Sequence, residues 1–414
     1  MATVGQDRAA PASNWRRAVA LVAVISLLNS MAAMIILPVL PKLVKAFTGD
    51  TAHAASYVGA FAAAFALAQF LAAPVLGALS DALGRRRVIL ISAFGLATDY
   101  LFMALAPDVG WLFLGRVIAG ITSASAPAVN AYIADSIPPQ ERAGAFGWTG
   151  AAVAIGFLAG PAIGGVLGDI SPRLPFWVSA GLCFAMAAYG TLVLPESLSA
   201  ERRVPFNFAR ASVWGSFRLL AEAPKIRGLL LVLVMMMMAA TCLPATLVLY
   251  TDYRFGWSTA TVGLYLTFAG TGHLLVQSLL VKRFVARFGE RTAAVTGYTS
   301  VAIGFLIFAA APRGIFFPIG TPFYALTGLV TPAVQSQLTR CVGRDQQGRL
   351  QGMVAAVQSM AALAAPILFT QIFAFAAGPG QGTVPPGLHL YAAAALLLAG
   401  AALAWRNMQP RGSP

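Results

Sequence analysis

The chain is short of charge. Of its 414 residues only 10% are Asp, Glu, Lys or Arg, and just 14 are acidic. A soluble globular protein carries about 25% charged residues. With 58% hydrophobic residues and a mean hydropathy of +0.76, the chain cannot cover itself with a wettable surface, which excludes a soluble enzyme. Cysteine is scarce as well. Cys183 and Cys242 fall in apolar runs and Cys341 in a polar stretch, so no disulfide framework and no metal-ligand spacing can be built. There is no Walker A loop, no zinc motif and no nucleophile elbow, so ATP-driven and hydrolytic chemistry have no support. No enzyme activity, no resident cofactor and no protein-held metal are expected.

What the sequence has is long apolar runs, and ~20 such residues cross a bilayer as a helix. Twelve are expected, at about 17–37, 54–77, 88–106, 111–134, 144–168, 174–195, 229–250, 259–281, 292–311, 315–338, 350–374 and 388–406. The fold class is therefore an all-α membrane protein. The first run follows Trp15, Arg16 and Arg17 like a signal peptide, but eleven further runs argue that it stays as the first helix.

Lys and Arg are unevenly placed. If the N-terminus lies inside, the inner segments hold 22 of them and the outer loops five, namely Lys42, Lys45, Arg173, Arg254 and Arg313; Arg116 falls within a span. That is a strong positive-inside bias and puts both termini in the cytoplasm. The net charge of +14 is thus spread along inner segments, as topology signal and lipid anchor, and no nucleic-acid partner is expected. The organisation reads as a cytoplasmic head (1–16), a six-helix half (17–195), a cytoplasmic central loop (196–228), a second six-helix half (229–406) and a cytoplasmic tail (407–414). Within the central loop the amphipathic stretch PFNFARASVWGSFRLL is expected to lie on the inner membrane surface.

The halves repeat. At an offset of 205 residues Gly84 falls on Gly289, Gly147 on Gly352 and Pro161 on Pro366. Parallel repeats related by an axis along the membrane normal imply a central cavity and alternating access by rocking.

Four segments carry candidate chemistry. The loop after the second run reads GALSDALGRRR: Gly77 allows close packing, Gly84 a tight turn, and Asp81 faces Arg85, Arg86 and Arg87 across a helix junction, with Asp135 at the end of the fourth run as a further partner for the cluster. The fifth run contains GFLAGPAIGG, where Gly156, Gly160, Gly164 and Gly165 make a smooth face and Pro161 weakens the ladder. Asp99 is the one carboxylate well inside any expected span; a carboxylate there is either a proton-exchanging site or a polar anchor in a wet cavity. Arg116, near the outer end of the fourth run, is either functional or snorkels to the headgroups. His273 of the eighth run has a side chain suited to proton exchange, with Gln277 one turn on; the alternative is a satisfied polar residue.

GALSDALGRRR resembles the G-x-L-S-D-x-x-G-R-R gate signature of major facilitator transporters. Its second-half copy has Ala286 and Glu290 in place of Asp81 and Arg85. The fifth-run motif resembles the antiporter signature G-x-x-x-G-P-x-x-G-G of drug exporters, and LFLGRVIAGIT resembles proton-coupled members. From the first run to the eleventh the chain resembles the tetracycline efflux family, through stretches such as LLNSMAAMIILPVLPKL, ATDYLFMALAP and LYLTFAGTGHLLVQ.

The resemblance implies a proton-coupled antiporter of the bacterial cytoplasmic (inner) membrane, monomeric, exporting a tetracycline-like small molecule in exchange for protons and able to carry a substrate-borne divalent metal. It implies coupling or drug-binding roles for Asp99, Arg116, His273 and Gln277. A cavity lined by the first, fourth, seventh and tenth runs would offer Asn29, Asn130, Thr241, Gln335 and Gln337, with Met235–Met238 as adaptable apolar surface and at least two of the four facing lipid.

Two positions depart from the family pattern: Asn29 and Val301 stand where it carries Asp. Both losses remove negative charge, and they motivate an alternative, a facilitator or an exporter of a sugar or other metabolite without the usual proton coupling. A receptor or scaffold without transport activity is disfavoured by the intact gate and antiporter motifs.

Overall fold

The computed structural model describes residues 12–123, 126–205, 224–343 and 346–409. The amphipathic stretch of the central loop lies almost wholly outside them. The described chain forms twelve helices long and apolar enough to cross a membrane: Trp15–Thr48, Thr51–Leu83, Arg85–Ala104, Val109–Ser136, Arg142–Ile170, Leu174–Val193, Ile226–Phe255, Thr259–Phe288, Glu290–Ala310, Gly314–Arg340, Gln347–Ala377 and Leu388–Asn407. They are the first to twelfth spans.

The spans are longer and less regular than the hydropathy pattern suggests. The first breaks at a turn over residues 36–39, where Pro38 removes a donor, and resumes as Leu40–Thr48. Lys42 and Lys45, expected in a loop, therefore ride on a helix. The second starts under a cap: the Asp50 carboxylate accepts the His53 backbone N–H at 2.9 Å, and this bond holds the Asp50 carboxyl below its usual range. The third begins at Arg85, so the arginines of the gate motif form its first turn. The eighth does not stop near residue 281; it passes through a π-helical segment, Val276–Leu280, and continues to Phe288. The tenth is broken into 3₁₀ and α pieces, with Pro318 and Pro322 interrupting the ladder.

The internal repeat is visible in the backbone. Gly84 and Gly289 both adopt positive φ, 104° and 81°, each at the junction leading into the next helix. Pro161 and Pro366 both sit inside long helices.

Close helix packing within the first half comes from small residues. A Cβ on Gly156, Gly160 or Gly164 would run into the first span at Ser30, Met34 and Ile35. Such contacts replace a hydrophobic drive that lipid cannot supply. In the second half Gly400 makes room for Tyr298, whose hydroxyl donates to the Val232 carbonyl.

The two halves meet on the face opposite the termini. There Gly59 of the second span lies against Thr370 and the Pro366 carbonyl of the eleventh, and Ser56 bonds Gln371. Gly165 and Gly263 bring the fifth and eighth spans into backbone contact. Lys45 pairs with Asp252 at 2.7 Å, Lys42 pairs with Asp252 at 3.3 Å, and the Asp169 carboxylate accepts the Thr259 N–H at 2.8 Å. Toward the termini a Cβ on Gly144, Gly147, Gly150 or Gly348 would meet nothing within 4 Å among the described residues. The described contacts between the halves thus gather on the face opposite the termini.

Candidate functional site

A cavity of about 420 Å³ lies at the centre, within the range of small-molecule sites. Its wall comes mostly from the first half. The second span supplies Val58, Phe61, Ala62, Phe65, Ala66 and Gln69, one helical face by their 3–4 spacing. The first span adds Asn29, and the third and fourth add Tyr100, Arg116 and Ser123. The second half contributes Pro244, Ala245 and Ala362, from the seventh and eleventh spans. The expected share of the tenth span is absent from this lining.

Among the described residues Arg116 is the one charged residue lining the cavity. It does not snorkel to the headgroups. It is 8% exposed, and its Nη2 donates at 3.2 Å to Asp99, which is fully buried. The same nitrogen lies 2.8 Å from the Met103 sulfur, and the guanidinium stands 5.9 Å from the Phe65 ring centroid. Gly115 makes the pair possible. A Cβ there would lie 2.7 Å from the Met103 side chain and 2.9 Å from Asp99 Oδ1. Two atoms of the pair, Asp99 Oδ1 and Arg116 Nε, have no hydrogen-bond partner among the described residues. A buried ion pair with open valences is poorly compensated and responds strongly to loss of either charge.

Other expected site residues lie elsewhere. Gln337 is buried and clasps the tail, its amide bonding both the N–H and the carbonyl of Gln409 at 3.0 Å. Gln335 bonds Gln351 at 2.9 Å, and the Thr241 hydroxyl donates back to the Met237 carbonyl at 2.8 Å. Asn130 is exposed and does not line the cavity. His273 and Gln277 face the irregular tenth span, close to Gly328, rather than the cavity. No member of Met235–Met238 is exposed; Met236 is fully buried, and Met237 and Met238 pack on the core. Val301 is likewise core.

The gate cluster does assemble. Arg85 bonds Asp81 and, at 3.0 Å, Asp135. A further member went unnoticed in the sequence. Glu196 Oε1 accepts the backbone N–H of Arg85 at 2.9 Å and also those of Ser197 and Leu198, and it fills the space that a side chain on Gly84 would need. His389, at the start of the twelfth span, was also missed. It is fully buried between Tyr250 and Phe373, with neither ring nitrogen partnered among the described residues.

Known proteins agree with this architecture. The chain is 38% identical over 329 residues to the class C tetracycline resistance protein of Escherichia coli, covering 79% of this chain and 83% of the relative. It is 35% identical to the class G protein of Vibrio anguillarum over 80% and 84% of the two chains. Among solved structures, a bacterial homologue of the human lysosomal transporter Spinster, described as inward-facing and unoccupied, superposes with a TM-score of 0.72 at 16% identity over 97% and 98% of the two chains. The human organic anion transporter MFSD10 gives 0.67 at 23% identity over 96% and 100%. At these identities the structures speak for the fold alone. Residues 22–366 match the model of the Major Facilitator Superfamily, and the chain belongs to that family of membrane transporters.

Proposed function

We propose that the protein exports a tetracycline-like drug across the bacterial cytoplasmic membrane in exchange for protons, with both termini in the cytoplasm. The likeness to tetracycline resistance proteins supports the substrate class. The observation that carries the mechanism is the Asp99–Arg116 pair at the cavity wall.

With Asp99 ionised, Arg116 is held against it and the cavity is free to take the drug. A proton on Asp99 removes the counter-charge. The guanidinium is then an unpaired cation at an apolar wall, a costly state that draws it to water or to polar groups of the cavity. Drug and proton thus compete through the position of Arg116, although they occupy different atoms. In the positive-inside orientation the contacts between the halves lie on the outer face, which supports reading this as the inward-facing state, ready to release a proton and load a drug from the cytoplasm. Opening of the opposite face requires the contacts of Asp252 and Asp169 to part. The proton enters there, and the drug leaves.

The test is uphill drug transport in inverted membrane vesicles energised by a proton gradient. Protonophore is expected to collapse it, and Asp99→Asn to abolish it. Wild-type uphill transport by Asp99→Asn would refute the assignment.

A further inference from the structure

The chemistry of the cavity wall goes beyond the identity of the coupling pair. We infer that this transporter carries its drug free of metal: the ligand is an amphiphile without net positive charge, and no divalent cation travels with it. The inference rests on the exporter reading above.

Small divalent cations are held by hard oxygen ligands, chiefly carboxylates. Among the described residues no carboxylate lines the cavity. Asp99 is the nearest in chain terms, but it is fully buried behind Arg116 and presents the ligand with its cationic partner. Four other acids are committed at the ends: Asp252 to Lys42 and Lys45, Asp169 to Thr259, Asp81 and Asp135 to Arg85. Among the described residues no group of three or more His, Cys, Asp or Glu is placed to hold a metal. A positively charged chelate entering this cavity would meet Arg116 and no anion.

The wall instead suits an apolar body carrying hydrogen-bonding groups. Phe61 and Phe65 line the wall one helical turn apart, with the Phe65 ring beside the Arg116 guanidinium. Asn29 presents an amide. Gln69 donates to the Ser123 hydroxyl at 3.1 Å, which leaves its carbonyl oxygen to accept from a ligand. Asn29 is the informative position: an Asp there would put into the cavity the anion that the wall now lacks.

The experiment is proton-driven uptake of tetracycline into inverted vesicles, with either EDTA or excess magnesium, for the parent chain and Asn29→Asp. The parent is expected to transport at least as fast in EDTA as in magnesium, which chelates the drug and lowers its free concentration. Asn29→Asp is expected to become magnesium-dependent, its rate in EDTA falling about tenfold, the equivalent of ~1.4 kcal/mol. Parent transport that is lost in EDTA and restored by magnesium would overturn the metal-free assignment and leave the exporter reading intact. Absence of protonophore-sensitive transport in either medium would remove the exporter reading and the inference with it. If Asn29→Asp fails to accumulate in the membrane, the parent's EDTA arm alone decides the question.

Discussion

Asp252 is a single carboxylate holding two lysines of the opposite half on the closed face. Removing its charge by Asp252→Asn breaks both pairs, Lys45 at 2.7 Å and Lys42 at 3.3 Å, while leaving the Lys42 bond to the Trp257 carbonyl. The side chains are 21–33% exposed, so neither pair has the strength of a buried one. Exposed pairs contribute ~0.2–1 kcal/mol each, so two of them come to about 0.4–2 kcal/mol. That is a shift of about 2–30-fold in the ratio of closed to open on this face. Double electron–electron resonance reads it directly. Spin labels at Ala46 and Arg313, exposed on opposite halves, should give a longer, broader distance distribution in Asp252→Asn and Lys45→Gln than in the parent. Raising the ionic strength should move the parent the same way, because screening acts on the same charges. Identical distributions in all three proteins at low salt would refute the reasoning.

Other outcomes follow from the packing and the cavity. Gly165→Val should wedge the fifth and eighth spans apart at the Thr259 carbonyl and shift the same distance distribution toward the open form. Gly164→Val acts inside one half, against the Ile35 backbone, and should instead lower thermal stability by about 1–3 kcal/mol in a detergent melt. Gln69→Ala should raise the drug concentration for half-maximal transport by about 2–10-fold, the value of one ordinary hydrogen bond, whereas Gln337→Ala should leave it unchanged. Gly115→Ala should push Asp99 from Arg116 and uncouple transport, leaving drug exchange in the absence of a proton gradient intact.

The fold was legible because membrane helices leave a one-dimensional record. Long apolar runs, basic residues on alternate loops and three matched glycines and prolines define twelve spans and two halves without any long-range contact. The gate cluster was legible for the same reason: Asp81, Gly84 and Arg85 are local to one helix junction. The cavity was less so. Asn29 and Arg116 stood out by being polar, but the main wall is an apolar stripe of the second span that looks like any lipid-facing helix in sequence. Gln337 and Gln335 drew attention as polar residues in a span and turned out to serve the tail and a neighbouring helix. The Asp99–Arg116 contact needs the close approach that Gly115 permits, and Glu196 reaches Arg85 across 111 residues. Neither juxtaposition has a sequence period. His389 was hidden at the margin of an apolar run, where a single histidine gives no pattern.

The central claim is that drug and proton exclude each other through Asp99. The most direct measurement is the proton count on drug binding, made with purified protein in weakly buffered detergent solution, parent against Asp99→Asn. The parent should release protons as drug binds, and Asp99→Asn, fixed in the uncharged form, should bind drug more weakly and release none. Equal proton release from both proteins would contradict the account.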